Sequence, residues 1–405
     1  MDAHPLAAPV DLPAPAEPIP ASDRRVLPAL CASAFVATMV FIAPAPFFPV
    51  MADDLDVGVP LLGQVIAAML LLSAVLGLVV GPLADRYGHR RLIVLGLLAA
   101  AISLMTFGLA PTFPVLLAGS LAGGLADAAL LGPIFAVAGT YFAGAAARQA
   151  LGWTTACMAG SAIIGVPLIA AVGDVVGWRA AFVATGLVAA GIAGLAAAWL
   201  PHDAHRPVDR LRARALLAAY RPLLGHGPML RLYGSSILRA FCWFGMLTYF
   251  GAFLGEDLGL STRDIGFTYM LGGAGYFLGS LLAGGPLSRV PARVLLAGGN
   301  VAMALLMGLA FSGVLGTAGT IAVMPLATFT GALGWIGLTT LLTAETPAGA
   351  GTTMTLNGSL FNLGAAGGGA VGGLLLSLGG YGALALGLPV FGLASALLAR
   401  PAPRA

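Results

Sequence analysis

Charge is scarce in this chain. It contains no lysine; its 19 basic residues are all arginine, set against 16 acidic ones, so 9% of its 405 residues are charged. A soluble domain carries about 25% charged residues, and no water-facing surface for a chain this long can be built from so few. Cysteine is nearly missing too. Cys31, Cys157 and Cys242 stand singly inside apolar runs without C-x-x-C spacing, which excludes a disulfide framework and leaves them as small core residues. The five histidines (His4, His89, His202, His205, His226) fall in tails and loops, so no metal cluster is expected inside the apolar runs. No phosphate-cradling G-x-x-x-x-G-K-[ST] occurs, which removes ATP as a direct energy source. Without H-E-x-x-H or a paired-carboxylate site in those runs, an enzyme is not expected, nor a cofactor or a nucleic-acid partner.

What is present is apolar. Hydrophobic residues make up 59% of the chain, and the mean hydropathy is +0.97. Gly 58 and Pro 27 suit membrane helices that pack closely and bend. All-arginine basicity with abundant Ala and Gly matches a GC-rich coding bias and hints at a bacterial source. About 20 apolar residues span a bilayer once. Such runs occur at 28–50, 60–81, 91–110, 113–140, 149–172, 180–199, 232–254, 264–286, 292–313, 317–342, 352–378 and 380–399. The sequence therefore predicts an all-α membrane protein with twelve transmembrane helices. The run at 28–50 is broken by Pro44, Pro46 and Pro49.

Arginine placement orients the spans. With the N-terminus inside, Arg24, Arg25, Arg86, Arg90, Arg91, Arg148, Arg289, Arg293, Arg400 and Arg404 are cytoplasmic, and only Arg179 and Arg263 lie outside, among seven acidic residues. Both termini are then cytoplasmic. Residues 1–26, with six prolines, read as a disordered cytoplasmic tail. The hydrophilic stretch 200–231 reads as a cytoplasmic central loop between six-helix bundles at 27–199 and 232–400. Within it, Arg210, Arg212, Arg214 and Arg221 alternate with Leu211, Leu216, Leu217 and Tyr220, as in a basic amphipathic helix on an anionic leaflet or in a solvated linker. An internal repeat supports this division. Gly81-Pro82-Leu83-Ala84-Asp85-Arg86 is echoed about 204 residues later by Gly285-Pro286-Leu287-Ser288-Arg289, and paired halves are a feature of transporters with a site at their interface.

The first copy continues as Tyr87-Gly88-His89-Arg90-Arg91. It resembles the loop between spans 2 and 3 of the major facilitator superfamily, G-x-L-a-D-r-x-G-r-k/r. Gly81 is expected to allow close helix approach and Gly88 a tight turn at positive φ. Asp85 can accept hydrogen bonds from a neighbouring helix N-terminus and from arginines. The resemblance implies a gating motif of Gly81, Asp85, Arg86, Gly88, Arg90 and Arg91, asymmetric because the second copy lacks the aspartate. An ordinary positive-inside loop would explain the arginines, but not the glycine spacing or the acidic residue among them.

Further stretches are similar to the drug/proton antiporter and sugar-efflux permease branch: Pro46-x-x-Pro49 with Met51-Ala52-Asp53-Asp54-Leu55, Gly165-Val166-Pro167, Gly177-Trp178-Arg179 and Leu356-Asn357-Gly358-Ser359-Leu360-Phe361-Asn362-Leu363-Gly364. The pattern departs from that branch at two places. Ser120 stands where many members carry an arginine in span 4, and Val166 separates Gly165 from Pro167.

Two ionisable residues fall inside spans. Asp127 lies in span 4 and Arg239 in span 7, at similar expected depths. Such residues face cavities and find partners. A static helix-to-helix ion pair, an arginine snorkelling to the inner surface, and a proton-carrying carboxyl are the competing readings. Phe35, Met39 and Phe41 in span 1, Phe241, Trp243 and Tyr249 in span 7, and Phe329 and Trp335 in span 10 are candidates for a substrate cavity or for interfacial anchors. The resemblance implies a monomeric secondary active transporter of the cell inner membrane. It would export a small organic molecule, drug-like or a sugar or metabolite, by alternating access, with protons as coupling ion. An uncoupled facilitator or an importer of a polar metabolite is the alternative.

Overall fold

The computed structural model describes residues 25–142, 144–201 and 220–399. The tail at 1–24 and Arg210, Leu211, Arg212, Arg214, Leu216 and Leu217 of the central loop lie outside the described residues. The described chain runs α1 (Val26–Ile42), α2 (Phe48–Leu55), α3 (Val59–Tyr87), α4 (His89–Leu109), α5 (Phe113–Thr140), α6 (Gly144–Gly160), α7 (Val166–Val176), α8 (Trp178–Trp199), α9 (Gly227–Glu256), α10 (Thr262–Gly284), α11 (Ala292–Phe311), α12 (Gly316–Ala344) and α13 (Ala350–Leu398). Taking α1 with α2 and α6 with α7 as continuous rods, eleven helices among the described residues are long and apolar enough to cross a bilayer. Lipid dictates this choice, because a helix satisfies its own backbone polar groups where no water is present to do so.

The interruptions follow from local chemistry. Pro44, Pro46 and Pro49 cannot donate backbone hydrogen bonds, and between α1 and α2 the chain makes a 3₁₀ turn at Ala45–Phe47. Between α6 and α7, Ser161–Gly165 forms a π turn just before Pro167. At 49 residues, α13 would be about 74 Å long if straight, against a hydrocarbon core of about 30 Å. It is broken at Gly379 and Gly380, where the backbone leaves helical geometry. That break falls between the two apolar runs 352–378 and 380–399.

Two joints contain a single residue. Gly88 (φ 92°) links α3 to α4, and Gly177 (φ 87°) links α7 to α8. The stretch 81–91 is therefore not a loop, as the sequence suggested, but a helix end, one glycine and a helix start. Beside the second joint, Arg179 forms an ion pair with Asp54 at 2.8 Å, donates to the Ala110 carbonyl at 2.7 Å, and lies over the Trp178 ring. The Gly177-Trp178-Arg179 motif thus ties the ends of α2, α4 and α8 together.

Within the first set of helices, α4 packs on α5 and α8, and α3 on α5; within the second, α9 packs on α13 and α12 on α10 and α11. The sets meet where α3 lies along α13 and α7 along α10. Arginine makes equivalent bonds in both. Arg90, at the start of α4, donates to the carbonyl of Ala197 at the end of α8. Arg293, at the start of α11, donates to the carbonyl of Ala399 at 3.1 Å and to both Glu345 carboxylate oxygens at 2.6 and 2.8 Å. A cation at carbonyls left unpaired at a helix C-terminus is favourable, and the spacing of the pair follows the internal repeat.

Glycines set the approach distances. The ladder Gly364, Gly368 and Gly372 lets α13 lie on the backbone and rings of α9, since a Cβ there would strike the Ile237 carbonyl, the Phe241 carbonyl and the Tyr249 ring. Gly275 and Gly279 do the same for α10 against the Pro325 and Phe329 carbonyls of α12. These contacts are the small-residue packing expected in membranes, and both lie within residues 227–398. Gly81 does not behave as expected. A Cβ there meets nothing within 4 Å, because this turn of α3 borders open space. Gly81→Ala is therefore expected to leave thermal stability in detergent unchanged or slightly raised, since alanine favours the helix. Gly88→Ala, forced into a backbone region that favours glycine, is expected to cost about 1–3 kcal/mol. Size-exclusion profiles after graded heating distinguish the two.

Candidate functional site

Close approach of α5 and α3 begins the site. A Cβ on Gly123 would enter the Met69 side chain, and one on Gly124 would strike the Met69 carbonyl. One turn beyond these contacts, Ser73 of α3 meets Asp127 of α5. The Ser73 hydroxyl donates to Asp127 Oδ2 at 2.5 Å. Asn362, on the arm of α13 that lies along α3, donates through Nδ2 to the same oxygen at 2.8 Å and to Ser73 Oγ at 3.0 Å. One carboxylate oxygen is thus held by both sets of helices, while Oδ1 takes no hydrogen bond among the described residues. Neither partner is charged.

Arg239 of α9 is 2% exposed. Its Nη2 donates to the Gly331 carbonyl of α12. Its guanidinium carbon lies 5.9 Å from the ring centroid of Trp243 and 5.6 Å from that of Trp335. Tyr276 of α10 leans on Trp243 at 6.0 Å, and its hydroxyl makes no hydrogen bond among the described residues. Arg239 Nε is buried without a partner, and no carboxylate lies within ion-pair distance among the described residues. A lone guanidinium at the centre of a span costs about 2.5–3.5 kcal/mol on insertion scales, and cation–π contacts offset about 1–2 of that.

The ion pair between Asp127 and Arg239, one of the competing readings, is therefore not formed. Asp127 turns toward α3 and α13, Arg239 toward α12, and each has its own partners. Snorkelling is also overturned, because the Arg239 guanidinium stays buried.

The aromatic candidates divide. From the Arg239 box, Trp335 contacts Phe361 (5.0 Å), Phe361 contacts Phe244 (5.6 Å), and Phe244 contacts Phe41 of α1 (6.0 Å). The row ends at a small cavity lined by Phe41, Ile42, Ile66, Phe244, Leu247 and Tyr269. Phe241 instead stacks on Phe391, and Tyr249 is fully buried, donating to the Gly369 carbonyl at 2.7 Å between α9 and α13. Phe35 and Met39 fill the space over Gly165, and Phe329 meets Gly279 through its backbone. These five hold helices together. In the gating motif, Arg86 is exposed beside the Tyr87 ring, Arg91 is exposed, and Arg90 reaches Ala197; the Asp85 side chain lies outside the described residues. Ser73 and Tyr276 had no sequence signal, being single polar residues in apolar runs. Asn362 stood inside a quoted motif without an assigned partner.

Eleven helices among the described residues, each long and apolar enough to cross a bilayer, define a polytopic membrane protein. A family model described as Major Facilitator Superfamily matches residues 30–369, and the chain belongs to that family. Relatives include an uncharacterized MFS-type transporter, YceJ, of Bacillus subtilis (strain 168), 24% identical over 65% of this chain and 66% of the relative. Multidrug resistance protein D of Escherichia coli (strain K12) is 28% identical over 59% of this chain and 60% of that protein. The matches thus span less than two thirds of either relative's length. The fold is similar to the crystal structure of the human organic anion transporter MFSD10 (TETRAN): TM-score 0.69, 18% identity, 94% of this chain and 100% of that one covered. It is also similar to an inward-facing, unoccupied bacterial homolog of the human lysosomal transporter Spinster: TM-score 0.68, 18% identity, 93% and 95% covered.

The Ser73–Asn362 contact brings α3 and α13 within cross-linking range. In a background with Cys31, Cys157 and Cys242 replaced by alanine, Ser73→Cys with Asn362→Cys is expected to form a disulfide on mild oxidation, detected by peptide mass spectrometry. Ser73→Cys with Leu363→Cys, whose second position is 45% exposed, is the expected negative control.

Proposed function

We propose that this chain is a proton-coupled secondary active transporter that exports a small organic molecule by alternating access. In this reading twelve spans form two six-helix halves at 27–199 and 232–400, in the cell inner membrane, with both termini cytoplasmic and the monomer as working unit. The observation that carries the coupling assignment is Asp127, a span carboxylate tied through one oxygen to Ser73 and, across the meeting of the two helix sets, to Asn362. A proton added to it weakens the bond that Asn362 donates, since a neutral carboxyl is a poorer acceptor than a carboxylate. Loading Asp127 would thus loosen α13 from α3, and rocking the halves would expose the carboxyl to the other face. A bare Oδ1 leaves the proton a place to bind.

The likeness to a multidrug resistance protein supports export of an organic compound. At the cytoplasmic ends, the motif of Gly81, Asp85, Arg86, Gly88, Arg90 and Arg91 serves as the gate, with Asp85 the acidic member of an otherwise basic joint. A second reading, an uncoupled facilitator or importer, is favoured by Ser120, whose hydroxyl returns to its own helix at Leu117 where many coupled members carry arginine.

Proteoliposomes enclosing a pH-sensitive dye, screened with drugs and sugars, decide between the two. Wild type is expected to move protons with at least one compound. Asp127→Asn is expected to abolish gradient-driven accumulation, a loss of tenfold or more, while substrate exchange persists. Accumulation by the variant at the wild-type level would remove Asp127 from the coupling mechanism.

A further inference from the structure

The proton reading uses Asp127 and leaves Arg239 without a task. Three features of Arg239 are hard to account for as scaffolding. It is a permanent cation, since guanidinium keeps its proton in proteins, yet no carboxylate accompanies it among the described residues. Its single hydrogen bond, to the Gly331 carbonyl, uses one of five N–H donors, and Nε is buried with nothing to donate to. A helix staple made only to join α9 to α12 would be served by a neutral donor at far lower desolvation cost.

The surroundings say what is missing. Trp243 and Trp335 offer ring faces to the guanidinium and the Tyr276 hydroxyl is uncommitted. Trp335 and Tyr276 are the partly buried members of the box, while Arg239 and Trp243 are buried. Beyond Trp335 the lining is Phe361 and then the aromatic row toward α1. The guanidinium fork fits two oxygens held in one plane, and the walls fit an apolar body.

We infer that Arg239, with Trp243, Trp335 and Tyr276, is the anion-recognition subsite of the substrate pathway, and that the substrates include aromatic organic carboxylates. The carboxylate accepts from the N–H donors of Arg239 that the Gly331 bond leaves free, Nε among them, the Tyr276 hydroxyl supplies a further donor, and the ring lies along Trp335 and Phe361. This inference deepens the transport reading and rests on it for the word substrate; the binding site itself does not depend on a proton gradient.

The test uses the full-length chain in detergent without any gradient, and compares 2-naphthoate with 2-naphthamide, which matches it in size and lacks its charge. Calorimetric titration of wild type is expected to give binding of naphthoate about tenfold tighter than of the amide, and only naphthoate should raise the thermal midpoint. Arg239→Gln should bring the ratio to about one, while Arg239→Lys, which keeps the charge but loses the fork, should retain part of it. Equal binding of the two probes by wild type overturns the inference, and needs no variant that folds. So does a ratio that survives in Arg239→Gln, or a variant that lowers the thermal midpoint and leaves the ratio untouched, as a purely structural arginine would. Flux assays separate this result from the broader reading. Selective binding of naphthoate without its transport would count against transport and leave the subsite standing, whereas equal transport of both probes would sink the subsite alone.

Discussion

A membrane interior offers no water to a polar group, and that constraint organises this molecule. Backbone groups meet it by staying helical, and where proline or glycine breaks the helix the chain responds with a 3₁₀ turn at 45–47, a π turn at 161–165, or a kink at Gly379 and Gly380. Side-chain groups meet it by pairing. The neutral network of Asn300, Ser395 and Ser235 ties α11, α13 and α9 with bonds of 2.8–3.0 Å. Arg293 finds Glu345. The exceptions include Asp127 and Arg239, charged groups within spans whose partners among the described residues are all neutral, and the neutral Asn357, whose amide nitrogen and oxygen are both buried without a bond. Each costs more to bury than an apolar side chain of similar size would.

Glycine supplies the geometry in which those exceptions can exist. Gly123 and Gly124 bring α5 onto α3 and thereby carry Asp127 to Ser73, while Gly364 and Gly368 seat α13 on α9. The same arm of α13 presents Asn362 to Asp127 and Phe361 to Trp335. One helix thus touches both charged positions.

The apolar helices could be read from sequence because apolar runs of such length have few other uses, and the positive φ of Gly88 because glycine adopts it without steric cost in a tight turn. Asp127 and Arg239 were visible as charges in apolar runs. Their pairing was not, since depth along two helices fixes neither the direction in which each side chain points nor its neighbours. Gly81 was misread because a motif position conveys spacing and not surroundings. Ser73 and Tyr276 could not be picked out, as a hydroxyl in a span most often bonds its own helix, as Thr106 and Ser120 do.

Two charges with separate sets of partners should be energetically independent, and a double-mutant cycle of Asp127→Asn and Arg239→Gln measures that directly. Independence predicts that the stability losses, read from reversible unfolding in micelles, add within about 0.5 kcal/mol. A coupling of about 1–3 kcal/mol, with the double neutral variant more stable than either single one, would mean that the two form an ion pair after all.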